Sequence, residues 1–251
     1  MSDDEYHYII PDVLTNSDGD TRTAGFELEF SGITLAATVD AVCTALQGDI
    51  TSQTAAEIEL DTEHGSFNIE IDWDFLKRTA ATDSLPDEIE PWIEQLSDAA
   101  ALLVPIEAVC PPIPLDRLNV LDPMVVALRE AGAVGTEESL IAAYGVHINP
   151  EIPALDVDTL DRYMKAYVLL QWWLVDTHDV DPTRRISPYI DLYEQPYMKQ
   201  VLTSSPTDVS SLIDDYLEHN PSRNRALDML PMFAEIDEDR VRHTIDDPKI
   251  K

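Results

Sequence analysis

Glu27 and Glu29 stand two residues apart in the stretch Thr23–Phe30, interleaved with Phe26, Leu28 and Phe30. Residues two apart on a β-strand point the same way, about 6.6–6.8 Å from each other. The spacing therefore puts two carboxylates on one side of a strand and the apolar side chains on the other. The same alternation places Glu57, Glu59 and Asp61 together, then Asn68, Glu70 and Asp72, opposite Ile58, Leu60, Phe67, Ile69 and Ile71. Glu107 turns away from Ile106 and Ala108, and His147 and Asn149 turn away from Val146 and Ile148. If these strands pair with their apolar faces together, the opposite face becomes a bed of carboxylates with one imidazole. Facing carboxylates repel unless a cation lies between them, and oxygen-rich sets suit hard divalent ions. Alternation alone leaves two readings: the solvated face of a very acidic sheet, or a divalent-cation site.

The few cationic side chains are the second chemical signal. Arg184-Arg185 and Arg223-Asn224-Arg225 are pairs in a chain with 16 Lys+Arg in all. The run from Asn220 to Arg225 reads as a helix start with Ser222 as N-cap. Arginines in a first turn oppose the helix dipole, and a bound phosphate would reverse that penalty. The plainer alternative pairs them with neighbouring acids such as Asp228. Other candidates carry less. His64 sits at a turn, His178 reads as a helix C-terminal residue, and Cys110 beside Pro111-Pro112 has no base near it in sequence. No Gly-x-Gly-x-x-Gly or Walker-type loop occurs among the eight glycines. Any nucleotide must then be held by side chains and metals on the sheet.

The elements that must position these groups follow from periodicity. Thr23–Phe30 predicts a strand, and Leu35, Val39, Val42, Cys43 and Leu46 predict a helix that Gly48 stops. Residues 55–61 and 66–73 predict a hairpin around His64-Gly65. A helix over 86–103, a short strand over 105–110, a helix through Leu118, Leu121, Val125 and Leu128, and a strand over 140–149 come next. Helices are then expected over about 157–176, 194–203, 208–218 and 223–245. Residues 1–22 read as a loose acidic leader, and 23–251 as one α+β domain around a mainly antiparallel sheet, with flanking helices and a helical C-terminal half. No internal repeat is visible.

Composition narrows the functional classes. The 251 residues are 44% hydrophobic, enough for a substantial core without disulfides. With 49 Asp+Glu the formal net charge is −33, which excludes nonspecific nucleic-acid binding and attachment to an anionic membrane. Five of the 16 basic residues are lysines (77, 165, 199, 249 and 251). Many short carboxylates with few lysines suggest a protein working at high salt, beside the plainer reading of an acidic cytosolic protein. Cys43 and Cys110 show no metal spacing, and no signal peptide or membrane span is evident, so a cytoplasmic protein with reduced thiols is expected.

Three segments together carry a resemblance: Gly25 to Phe30, Tyr144 to Pro150 with its Gly-x-His-x-Asn, and Asn220 to Pro231. From about Thr23 onward the chain resembles the amidoligases, grouped with the glutamine synthetase and glutamate–cysteine ligase superfamily of ATP-dependent carboxylate–amine ligases. The resemblance implies a curved, mainly antiparallel sheet of glutamine synthetase catalytic-domain type that holds ATP and Mg²⁺ (or Mn²⁺). It implies metal ligation by Glu27, Glu29, Glu107 and His147, nucleotide binding by Asn149 and Arg225, and catalytic roles for Arg223, Arg225 and His147. Asp72 aligns loosely with a further acidic position. The resemblance also implies an Arg- and His-containing segment beyond Lys251. The expected reaction joins a small-molecule or peptide carboxylate to an amine through an acyl phosphate. Two rival classes are an acidic protein that binds metal or a basic partner without catalysis, and a metal-dependent hydrolase on the same face. The sequence gives no oligomeric state and identifies neither substrate.

Overall fold

A computed structural model describes residues 8–72, 104–135, 145–179 and 191–245. The chain packs as two compact units, residues 1–151 and 152–251, which follows the order of strands first and helices last. The expected helix over 86–103, the start of the 140–149 strand and the Arg184-Arg185 pair lie outside the described residues.

The first unit is built on a seven-stranded sheet in which every pairing is antiparallel. Its strands are β1 (Thr23–Phe30), β2 (Asp49–Gln53), β3 (Glu57–Thr62), β4 (Gly65–Ile71), β5 (Ile106–Val109), β6 (Ile113–Pro114) and β7 (Val146–Pro150). The order is β2-β3-β4-β5-β1; β6 continues along the β5 side of β1, and β7 pairs with the other side. Helix α1 (Leu35–Leu46) and helix α2 (Asp122–Ala131) contribute Val39, Val42, Leu46, Met124 and Leu128 to one core with Ile58, Leu60, Phe67, Ile69, Ile106 and Ala108. These strand residues are the apolar half of the alternation, so burying them turns the acidic half outward. The Thr34 hydroxyl caps α1 by accepting from the Ala37 N–H, and Gln47 ends the helix in the left-handed region, one residue before Gly48.

Two features differ from the sequence reading. Strand β2 is fully exposed and carries no alternation, so nothing in Asp49–Gln53 marks it. Residues 13–22 are fastened rather than loose. Thr15 bridges Thr21, Arg22 is buried with its guanidinium donating to the carbonyls of Val13 and Glu151, and the Asn16 amide donates to the Glu151 carboxylate.

The second unit contains α3 (Val157–Thr177), α4 (Gln195–Thr203), α5 (Val209–His219), α6 (Leu230–Ile236) and α7 (Glu238–Thr244). Its core gathers Leu160, Met164, Val168, Ile213 and Phe233 around Tyr193, Tyr197 and Tyr216, whose rings meet edge-on with centroids 5.0–6.1 Å apart. Gln171, inward on α3, donates to the Tyr193 carbonyl and accepts from its N–H, which fixes that strand-like segment against the helix. No helix among the described residues is long and apolar enough to cross a membrane.

The expected helix over 223–245 requires a correction. Residues 220–229 form a loop, and helix begins at Leu230, so Ser222 is not an N-cap and neither Arg223 nor Arg225 stands in the first turn of a helix. Tertiary pairing overrides the local signal: the backbones of Asp191 and Arg225 bridge in parallel, with Asp191 N–H donating to the Asn224 carbonyl and Ala226 N–H to the Asp191 carbonyl. The helix start is set instead by Asp228, whose carboxylate accepts from the Leu230 N–H, and by Pro231 in the first turn.

Candidate active site on the polar face of the sheet

Register decides which polar side chains become neighbours. Glu29 lies directly opposite Glu107, Glu107 opposite Glu70, and Glu70 opposite Glu57, forming one row across four strands. The next row runs Glu59, Asn68, Val109, Glu27 and His147, and Gly25 faces Asn149 beyond it. Directly opposed side chains have Cβ atoms about 4.5–5.5 Å apart, and like charges there repel. The Glu107 carboxyl is accordingly pushed up to about 7, by burial first and then by Glu27, Asp72, Glu29 and Glu70.

The donors on this face are few and specific. His147 Nδ1 lies 2.8 Å from Glu27 Oε2, and the Asn149 amide donates to Glu27 Oε1 at 3.0 Å. The pairing with Glu27 raises the His147 pKa above its ordinary value. The Gly145 backbone N–H donates to Glu29 Oε2 at 3.0 Å, so the Gly-x-His-x-Asn strand touches both first-strand glutamates. At the other end of the rows, the Asn68 amide nitrogen donates to Glu57 at 2.9 Å and to Glu70 at 3.0 Å. Its oxygen is buried and has no hydrogen-bond partner among the described residues. Neighbouring carboxylates cannot donate to that oxygen while ionised, so it adds one more acceptor to a surface already rich in them.

Glu27, Glu107 and His147 each offer a ligand atom, and these atoms all lie within 4.8 Å of one another. Two carboxylate oxygens and an imidazole nitrogen from three neighbouring strands suit a divalent cation. The imidazole favours Mn²⁺ over Mg²⁺, which prefers oxygen throughout. Of the residues expected from sequence, the structure brings together Glu27, Glu29, Glu107, His147 and Asn149. Asn68 and Glu70 join them; alternation put both on this face, but only the β4–β5 register shows Glu70 against Glu107.

Arg223 and Arg225 belong to the second unit. Arg223 Nε lies 3.2 Å from Asp228 Oδ2. The Arg225 side chain is only 10% exposed; its Nε donates to Asn220 Oδ1 at 2.8 Å, and Nη1 lies 3.6 Å from Asp191. Asp228 thus pairs with Arg223, and Arg225 is oriented by Asn220 and Asp191.

Searches among curated proteins and among solved structures give no match. Residues 20–251 match the family described as putative amidoligase enzyme, a span that takes in the carboxylate rows, the Gly-x-His-x-Asn strand and the arginine loop alike. By that match over nearly its whole length, the chain belongs to the putative amidoligase enzyme family.

Proposed function

We propose that the chain is an ATP-dependent carboxylate–amine ligase working on a sheet of glutamine synthetase catalytic-domain type. The observation that carries this reading is the convergence of Glu27, Glu107 and His147 on one polar face, within a family of amide-forming enzymes. In the reaction, a substrate carboxylate oxygen takes the γ-phosphoryl group of ATP, giving an acyl phosphate and ADP. An amine then attacks the acyl carbon, phosphate leaves, and the amine gives up a proton.

Glu27, Glu107 and His147, with Glu29 beside them, would hold Mn²⁺ or Mg²⁺. Such an ion would neutralise charge on the carboxylates and on the transferring phosphate. Asn149 keeps Glu27 oriented from its other oxygen, and in this reading it would also contact the nucleotide. In the same reading Arg223 and Arg225 would act on phosphate, and Asn220 and Asp191 preset the Arg225 fork within its own unit. The high Glu107 pKa suits a carboxyl that exchanges its proton for a cation near neutral pH.

The test is ADP release with Mn²⁺ or Mg²⁺ across a panel of amino acids, peptides and polyamines. Amine-dependent ADP release is expected, with Glu107→Gln lowering it on the order of 10²-fold or more. Substrate cleavage without ATP would replace this reading with a hydrolase on the same face.

A further inference from the structure

Helix α3 presents two unlike sides. Leu160, Met164, Val168 and Gln171 are buried, whereas Leu169 is 68%, Leu170 44%, Trp172 54% and Trp173 57% exposed. Two exposed tryptophans and two exposed leucines within one and a half turns form an apolar patch of the kind that marks an interaction site. It stands out further because the chain carries a net charge of −33. That charge makes two copies repel each other overall, so an apolar contact must outweigh it.

Spacing along the exposed side adds a geometric constraint. Arg162, Ala166, Leu169, Trp173 and Asp176 follow one another at intervals of four, three, four and three, the spacing of a coiled-coil seam. Leu169 is midway between Arg162 and Asp176. If two such helices cross antiparallel about a two-fold axis at Leu169, each residue meets the one equally far on the other side of 169. Arg162 then meets Asp176 of the second copy, and Ala166 meets Trp172. Opposite charges close both ends, and a small side chain faces a large one. A parallel arrangement would set Arg162 against Arg162 and Trp173 against Trp173, losing both matches.

We propose that the Leu169–Trp173 side of α3 is a self-association surface that joins a second copy of this chain as an antiparallel, two-fold symmetric dimer. One helix per subunit is a small interface, so the dimer forms in a concentration-dependent way. Salt strengthens it: screening relieves repulsion between the two acidic bodies while the apolar contact persists.

Sedimentation equilibrium of the full chain tests this across ~1–100 µM, the range in which a contact of this size is partly formed. The mass should rise from 28.1 kDa towards twice that value with concentration, and further with added KCl. Leu169→Glu places like charges on the axis and should shift the midpoint at least ~10-fold upward. A folded monomer is expected, with an unchanged melting temperature under dilute, monomeric conditions. Arg162→Asp and Asp176→Arg should each weaken self-association, and mixing the two variants should restore it, because the mixed dimer regains both opposite-charge contacts. A wild-type chain that stays monomeric throughout the range overturns the proposal. So does a mixture no better than its parts, or a Leu169→Glu chain that loses its cooperative fold, which would show the side packed within its own molecule.

Discussion

Glu107 faces Glu29 on one side and Glu70 on the other, and its carboxyl is pushed up to about 7 from an ordinary 4.5. The folded state therefore binds this proton more tightly than the unfolded chain does. That contribution to stability is complete below about 4.5 and is lost as pH rises through about 7. His147 acts in the same sense, since its pKa is raised by Glu27: it stabilises while protonated and the gain disappears at higher pH. In EDTA, thermal stability should fall between pH 4.5 and about 7, on the order of 1–2 kcal/mol from Glu107 once solvent screening is allowed for. Glu107→Gln should flatten that part of the curve. With Mn²⁺ the dependence should invert, because a cation must displace both protons and binds more tightly as pH rises. Melting curves at several pH values, with EDTA and with Mn²⁺, distinguish this from a plain exposed face. Such a face would shift within about ±0.5 kcal/mol and ignore the metal.

At the level of elements, β1, β3 and β4 are legible because alternation is a strong, local signal, which β2 lacks. Thr23–Phe30 is both the expected and the observed β1, and the 55–61 and 66–73 pair appears as β3 and β4. What escaped was set by distant partners. Arg225 lies in a loop because Asp191 pairs with its backbone, and no window around 220–229 contains that information. The site shows the same division: each carboxylate could be assigned to the polar face from its neighbours in sequence, but the opposition of Glu70, Glu107 and Glu29 depends on register between strands. The turns give a comparative prediction. Gly32 and Gly132 both have positive φ, +88° and +100°. A Cβ at Gly132 would meet nothing closer than 3.6 Å, so Gly132→Ala should cost about 1–2 kcal/mol of backbone strain alone. A Cβ at Gly32 would lie 2.6 Å from the Gly132 carbonyl oxygen, so Gly32→Ala must also displace backbone. Denaturant melts should rank Gly32→Ala clearly below Gly132→Ala.

Charge governs the behaviour of the molecule as a whole. A net −33 over 251 residues, with carboxylates packed in rows on one face, leaves a self-repulsion that ions relieve. Raising KCl to about 1 M shortens the screening length to about 3 Å. Recovering even ~1–2 kcal/mol would raise the melting temperature by about 2–8 °C. Scans in KCl check it. A flat curve would mean that the acidity is not tuned to salt. The experiment is best run with EDTA throughout, since divalent contamination would stabilise the Glu27, Glu107 and His147 group by mass action and mimic the effect.

The strand register also works as a parity rule. In β4, odd-numbered Ile69 and Ile71 go into the core while even-numbered Asn68 and Glu70 face outward, opposite Val109 and Glu107. One residue inserted or deleted inside β4 would exchange the two sets, driving carboxylates into the apolar layer and isoleucines into the row. Core and candidate site are thus written in the same count, and neither can drift without ruining the other. The chain does absorb one such irregularity, the bulge between Ile50 and Ser52. It falls in β2, the outermost of the described strands on that side, where no partner of Glu27, Glu107 or His147 has its place to lose.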